Sequence, residues 1–396
     1  MVRYEEKDFQ LAKEFCAIAL GTDKFYRALP VKGDEEAFRV EGLIPVDFCG
    51  VEPCEITSWD EAIEKLTRVY QEYGSIADPT RRNYMFQQVG GFRKVCMWLS
   101  GAPIQFRELA AETMFVDENP IGAAFLQKKY DAMDAALAEA GYSGTMHEKL
   151  AAWKEARVVP KEDVERVLNE LLAEGKKRCI EKGFADAADL DVKAIVVYGK
   201  PYNGYCDYFT RTIEISGETA YTYEQLKHLV CHEAFPGHMT HMAMRERRVK
   251  AGEMPADAGL VMTNTASSPT FEGIADTGMA FLDWDNTIDD KICRYLQEIQ
   301  SICNINASHI MYCGGGKDAA REYLETYSLA SPAQISSRLR YFGFFFRKAY
   351  MYSYWRGWEA VANKWESLAE DEREPFLDYL YNHMHSVDTV AQFGQN

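Results

Sequence analysis

Four of the chain's eight histidines fall in the run Lys227-His228-Leu229-Val230-Cys231-His232-Glu233-Ala234-Phe235-Pro236-Gly237-His238-Met239-Thr240-His241, and no other stretch constrains the fold as tightly. Imidazole is the commonest protein ligand for zinc, and a glutamate directly after a ligand histidine places a general base beside metal-bound water. The run therefore reads as a metal centre. Its spacing is unusual. His-Glu-x-x-His sets two imidazoles four residues apart on one helical face, whereas here the fourth residue after His232 is Pro236 and the next histidine is His238. On an unbroken helix, six residues turn through about 600°, leaving the two side chains roughly 120° apart. A helix over this run must bend for them to share an ion. Pro236 has no N–H to offer the carbonyl of His232, its ring clashes with that carbonyl, and Gly237 tolerates the dihedrals of a kink. A bulged or broken turn then brings His238 back towards His232. Two rival pairs need no bend: His228 with His232 at i, i+4, and His238 with His241 at i, i+3.

The segment His-Glu-Ala-Phe-Pro-Gly-His resembles the signature of the bacterial domain-of-unknown-function family 885, His-Glu-x-x-Pro-Gly-His, whose members are similar to Glu-type zincins such as carboxypeptidase Taq. Phe271-Glu272-Gly273 resembles that family's Glu-Gly-Trp-Ala segment, and Ser353-Tyr354-Trp355-Arg356-Gly357 its Ser-Tyr-x-x-Gly segment. The stretch from Pro201 to Ser216 resembles the strand region before the metal helix. Two positions depart: Met239 stands where the family has a second histidine, and His241 where it usually has glutamine. The resemblance implies a mainly α protein with a small β-sheet, a zincin-like (gluzincin) helical fold, and a deep cleft between two halves. It implies His232, His238 and Glu272 as ligands of Zn2+, while helical spacing keeps His228, and the departure at His241 keeps that residue, as alternative ligands. Three protein ligands leave a fourth position to water, the catalytic pattern, and zinc lowers the pKa of such water towards ~7. Glu233 is then the general base, and Tyr354 the donor to the developing oxyanion.

The rest of the composition narrows the partners. A net charge of −17 and a pI near 5.0 argue against nucleic acid or an anionic membrane, both of which need a basic surface. No run of 18 apolar residues exists, and the first eight residues are charged, without the apolar segment of a signal peptide. The ten cysteines are scattered with no Cys-x-x-Cys pair, which fits reduced thiols and a cytoplasmic location. The sequence leaves open whether the chain forms a homo-oligomer.

Helical periodicity is expected over residues 5–20 (Phe9, Leu11, Ala12, Phe15, Ile18), and from the cap Ser58, with Glu61 three residues on, to about 184. The only histidine of this half, His147, reads as a surface residue. At about 190 the texture turns β-rich. Val192–Tyr198 and Tyr205–Ile215 read as two strands joined by a turn over Gly199–Gly204, either an edge strand able to hold an extended substrate or an ordinary small hairpin. The metal helix is expected over Tyr221–Lys250 with its kink at Pro236, then a helix carrying Glu272, helices over 287–312 and 316–328, and one or two long helices from Ser331 to Leu368. The change of texture divides the chain into a helical scaffold subdomain, 1–190, and a zincin-like catalytic subdomain, 191–396.

These features point to a zinc-dependent hydrolase, most simply a metallopeptidase of small peptides. A hydrolase or lyase of a non-peptide amide or amino-acid-like metabolite is the alternative, and an inactive metal-bound binding or structural protein the third reading. An arginine fork for a substrate carboxylate is expected among Arg338, Arg340, Arg347 and Arg356, with Tyr208 and Thr210 of the edge strand beside the substrate.

Overall fold

The computed structural model describes residues 2–30, 41–199 and 204–395. It is mainly helical with small sheets, as the periodicity predicts. Helix α1 (Glu6–Ala28) buries Leu11, Ala12, Phe15, Ile18 and Ala19 along one stripe and runs further than the periodicity suggested. Helix α2 (Trp59–Glu72) starts where the cap predicts, the Ser58 side chain accepting from the backbone N–H of Glu61. Helix α3 (Pro79–Leu99) has Asp78 as its cap and Pro79 in the first turn, where a missing N–H costs nothing. Helix α4 (Val164–Glu181) leads into strands β1 (Lys193–Val197), β2 (Gly204–Asp207) and β3 (Thr212–Ser216). Then come α5 (Tyr223–Glu233), α6 (His238–Lys250), α7 (Ser267–Asp276), α8 (Ile288–Tyr312) and α9 (Met351–Ser367).

Two compact units emerge, each made of separated segments: residues 1–119, 241–274 and 344–396 in the first, residues 120–240 and 275–343 in the second. The chain thus divides elsewhere than at residue 190. In the first unit Arg81, 2% exposed, donates to both carboxylate oxygens of Asp257 at 2.8 and 2.6 Å, and its Nε lies 3.4 Å from Asp8. This pairing ties α1 and α3 to the segment after α6, a link across 176 residues that no local pattern encodes. Losing one partner would leave a buried charge uncompensated, at a cost of about 3–5 kcal/mol.

In the second unit the sheet has the order β1-β3-β2, with β1 parallel and β2 antiparallel to β3. The outer edge of β1 is met by side chains of α4. Asn169 donates to the carbonyl of Ala194 at 3.0 Å and accepts from its N–H at 3.1 Å, and Glu165 accepts from the N–H of Val196 at 3.2 Å. Strand β2 lies on the other side of β3, next to α5.

The single strand expected over Tyr205–Ile215 is in fact a hairpin. The Asp207 carboxylate accepts from the N–H groups of Phe209 and Thr210 at 3.1 and 3.2 Å, closing an Asx turn that stops the strand, and Arg211 takes a φ of 56°. Tyr208 and Thr210 therefore lie in the turn rather than on a strand, Tyr208 buried and Thr210 exposed. Most of the turn expected over Gly199–Gly204 lies outside the described residues.

Candidate metal centre

The metal helix is broken rather than kinked. Helix α5 begins at its cap Thr222, in a reciprocal box with Gln225, and stops at Glu233, where Ala234 leaves helical dihedrals (φ −123°, ψ −73°); α6 starts afresh at His238. Pro236 accounts for the break as expected, and the Phe235–Pro236 peptide is cis. The need for Gly237 has a different cause from the one the sequence suggested. A Cβ there would lie 1.9 Å from the carbonyl oxygen of His232, so space rather than dihedral freedom excludes any other residue.

The break brings two imidazoles together. Nε2 of His238 lies 3.1 Å from Nε2 of His232, with the rings nearly perpendicular at 80°. Two nitrogens bound at 2.0–2.1 Å to one tetrahedral ion sit about 3.3 Å apart, so the separation fits a shared ion. The other nitrogen of His232, Nδ1, is 2.8 Å from Oδ1 of Asp276 at the end of α7. Glu272 precedes Asp276 by one turn of the same helix. One ligand atom from each of His232, His238 and Glu272 lies within 4.8 Å of the others, and all three residues are buried. Two soft-to-borderline nitrogens and one carboxylate oxygen are a donor set suited to zinc.

A second group, His228, His232 and Asp276, meets the same distance criterion. Its atoms are spaced as hydrogen bonds, 2.8 Å from Asp276 to His232 and 3.4 Å to His228. Burial would raise the Asp276 carboxyl, but His232 and His228 beside it outweigh that effect and hold it well below the usual carboxylate range. Asp276 is thus placed to accept from His232 and orient its ring. Either group could hold an ion; His232 belongs to both, with His238 and Glu272 in one and His228 and Asp276 in the other. His228 shares Asp276, and His241 belongs to neither group, packing instead against Phe271 and Tyr381 at 5.8 and 5.2 Å.

Glu233 is buried at the end of α5, where a Cβ on Gly204 of β2 would approach its Oε1 to 3.4 Å. Glu233 thus faces the start of β2. A residue the sequence did not single out touches Glu272: the Tyr350 hydroxyl donates to its Oε1 at 2.7 Å. Tyr354 is half-buried one turn later, its ring edge-on to that of Tyr350 at 5.7 Å. Asp276 and Tyr350 could have been found by the same signal, a polar residue four positions from a candidate.

The two motif glycines have a packing role. A Cβ on Gly273 would lie 2.2 Å from the carbonyl oxygen of Gly357, and one on Gly357 would lie 1.8 Å from that of Pro269. Helices α7 and α9 meet backbone to backbone there, next to Glu272.

Two of the four arginines named for a carboxylate fork are paired within the protein. Arg356 donates to the carbonyls of Asp117 and Asn119 at 3.1 and 2.9 Å and pairs with Asp117 and Glu359. Arg347 pairs with Glu41 and lies over the Tyr350 ring at 5.1 Å. Both are built into the protein. Arg338 is half-buried and Arg340 exposed on the helix Pro332–Gly343. His147 is exposed, as expected.

No protein-family model matches the chain, and no curated protein does either. Two solved structures are similar. One is a "putative lipoprotein" from Colwellia psychrerythraea, with a TM-score of 0.54 at 15% identity over 84% of this chain and 68% of that one. The other is a "putative lipoprotein of unknown function" from Shewanella oneidensis, with a TM-score of 0.51 at 14% identity over 85% of this chain and 73% of that one. At these identities the likeness is one of fold alone. Among the described residues no helix is long and apolar enough to cross a membrane.

Proposed function

We propose that the chain is a zinc-dependent hydrolase of zincin-like (gluzincin) type, related to family 885, and more narrowly a metallopeptidase of small peptides. The observation that carries the proposal is the buried convergence of His232 and His238, Nε2 to Nε2 at 3.1 Å, with the Glu272 carboxylate in the same group. Bound there, zinc supplies a Lewis acid and water of lowered pKa. Glu233, directly after His232, takes up a proton and delivers it to the leaving nitrogen. Asp276 fixes the tautomer of His232, Tyr350 orients Glu272, and Tyr354 is the proposed donor to the oxyanion. An extended peptide is proposed to pair with β2, since the outer edge of β1 is already met by Asn169 and Glu165. The free state of the described cysteines supports a cytoplasmic location.

The test is elemental analysis of the purified chain with a turnover panel of short peptides and non-peptide amides. The expected result is close to one zinc per chain, and peptide turnover that Glu233→Gln abolishes while zinc is retained. Absence of stoichiometric metal, or full activity of the Gln variant, overturns the proposal. Turnover confined to non-peptide amides keeps the hydrolase and replaces the substrate.

A further inference from the structure

We infer that the chain binds a second divalent transition-metal ion at His228, His232 and Asp276, with His232 bridging it to the ion proposed at His238 and Glu272, an inference that rests on the hydrolase reading above. The three residues form one of the two groups whose ligand atoms lie within 4.8 Å of one another. All three belong to the second compact unit. His228 and His232 are four residues apart on α5, so their side chains leave one face of the helix, with ring centroids 5.8 Å apart. Asp276 ends α7.

Both imidazoles address the same carboxylate oxygen. Nδ1 of His232 lies 2.8 Å from Oδ1 of Asp276, and Nε2 of His228 lies 3.4 Å from it. The first length is that of a charge-assisted hydrogen bond, about 2.7–2.9 Å, and the second is too long for one. Orienting His232 therefore needs Asp276 but not His228. Two donors bound at about 2.0–2.1 Å to one tetrahedral ion sit about 3.3 Å apart, so the His228 contact already has the spacing of a shared ion, and the shorter contact has to open by about half an ångström. Two imidazole nitrogens and one carboxylate oxygen suit zinc, copper or nickel, with water completing the coordination. The side chains of His228 and Asp276 are 15% and 17% exposed, whereas His232, His238 and Glu272 are all buried. An exchanging ion and its water thus have a route to this group from solvent.

His232 serves two ions at once only as an imidazolate. Its Nε2 faces Nε2 of His238 at 3.1 Å, and its Nδ1 faces Asp276. A neutral imidazole carries one proton and one lone pair, so with the first ion on Nε2 the proton sits on Nδ1, in the bond to Asp276. The second ion takes that proton's place. The Nδ1–H bond breaks, the electron pair left behind forms the Nδ1–metal bond, and the proton passes to the buffer. Asp276 then holds the ion in place of the proton, and His228 binds through its neutral Nε2. Because each such binding event must also displace a proton, the second ion is the weaker of the two.

The experiment titrates the full-length chain, stripped of metal, with Zn2+ at pH 8 in a calorimeter. Two buffers of different ionisation enthalpy count bound ions and released protons together. The wild type is compared with His228→Gln, His228→Ala and His238→Ala. We expect the wild type to bind two ions, the second about tenfold or more weakly than the first and with release of about one proton. Both His228 variants keep the first ion, which also shows that they fold. They weaken the second by about 100-fold or more, since a ligand is lost rather than an outer-shell partner. His238→Ala keeps one weak step without proton release, because Nε2 of His232 is then open to the proton. A single step that survives in both His228 variants overturns the second site and leaves the hydrolase reading standing. A second step that those variants leave unchanged lies elsewhere on the chain and overturns it equally, and a second step without proton release overturns the bridge. A single ion lost in His228→Ala and kept in His238→Ala overturns the placement of the first ion, and the hydrolase reading falls with it.

Discussion

Asp276 Oδ1 lies 2.8 Å from Nδ1 of His232, and that bond aims the opposite nitrogen, Nε2, at Nε2 of His238 3.1 Å away. A ligand imidazole can offer its lone pair at one nitrogen only if the other carries the proton, and the carboxylate selects that tautomer. Asp276→Asn and Asp276→Ala are expected to weaken zinc binding by about 10–100-fold without abolishing it. Competition against a chelator of known affinity measures this directly. Unchanged affinity in both variants would show that Asp276 does not support the ligand.

The three proposed ligands and their neighbours should separate cleanly. His232→Ala, His238→Ala and Glu272→Ala should each strip the metal. His228→Ala leaves the bond between Asp276 and His232 in place, and His241→Ala removes only an aromatic contact, so both should keep most of it. Metal content after gel filtration decides. Loss at His228 with retention at His238 would mean that the ion sits in the group of His228, His232 and Asp276 instead.

Gly273→Ala and Gly357→Ala test the contact beside Glu272. Each introduces a Cβ within about 2.2 Å of a backbone oxygen, and neither backbone can yield without moving a helix. We expect losses of about 1–3 kcal/mol from overpacking, seen as a lower midpoint in denaturant. Gly273→Ala should also lower zinc occupancy, because the residue it displaces is the neighbour of a ligand. Wild-type stability in both variants would show that the two helices are not in backbone contact.

What the sequence disclosed about this region is uneven, for physical reasons. Helix starts were legible where a side chain caps a backbone N–H, as at Ser58, because the signal is complete within four residues. The break at Pro236 was legible because proline's missing N–H is a local fact. The turn at 208–211 was not, since the alternation of the strand continues through it and only the carboxylate of Asp207 ends it. Gly273 and Gly357 were visible as motif positions, but their reason lies in a contact across 84 positions of chain that no periodicity reports. The division at 190 follows local texture, whereas the units are set by long-range pairs such as Arg81 with Asp257.

Tyr350→Phe isolates one hydrogen bond to a ligand. The ring stays and the hydroxyl at 2.7 Å from Glu272 Oε1 is lost, so the fold should hold while zinc affinity falls modestly, by up to about tenfold. Tyr354→Phe should leave affinity unchanged and lower kcat, since the proposed role of Tyr354 is in turnover. A fall in affinity at Tyr354 with none at Tyr350 would exchange the two roles.

The last prediction concerns acid stability. His385 is 2% exposed, with Nε2 2.8 Å from the carbonyl oxygen of Tyr379 and Nδ1 3.3 Å from Thr389 Oγ1; burial pushes its pKa down to about 3. His383, with Nδ1 3.0 Å from the Tyr4 hydroxyl, is pushed down to about 4, again chiefly by burial. An unfolded histidine titrates near 6.5. As the pH falls below about 6.5, the unfolded chain takes up two protons that the folded chain refuses until about 4 and about 3. The unfolded state binds more protons throughout that window, so stability falls with falling pH and is flat above about 7 as far as these groups go. Each proton taken up only by the unfolded state contributes a slope of about 1.4 kcal/mol per pH unit. Unfolding free energies from urea titrations at pH 7.5, 6.0 and 5.0 should show this slope. His385→Asn and His383→Gln should each be less stable at pH 7.5 but lose less on acidification, by roughly one proton's worth of slope. The comparison between variant and wild type cancels the acid release of metal, which is common to both. A slope unchanged in both variants would mean that these histidines are protonated in the folded protein near neutral pH.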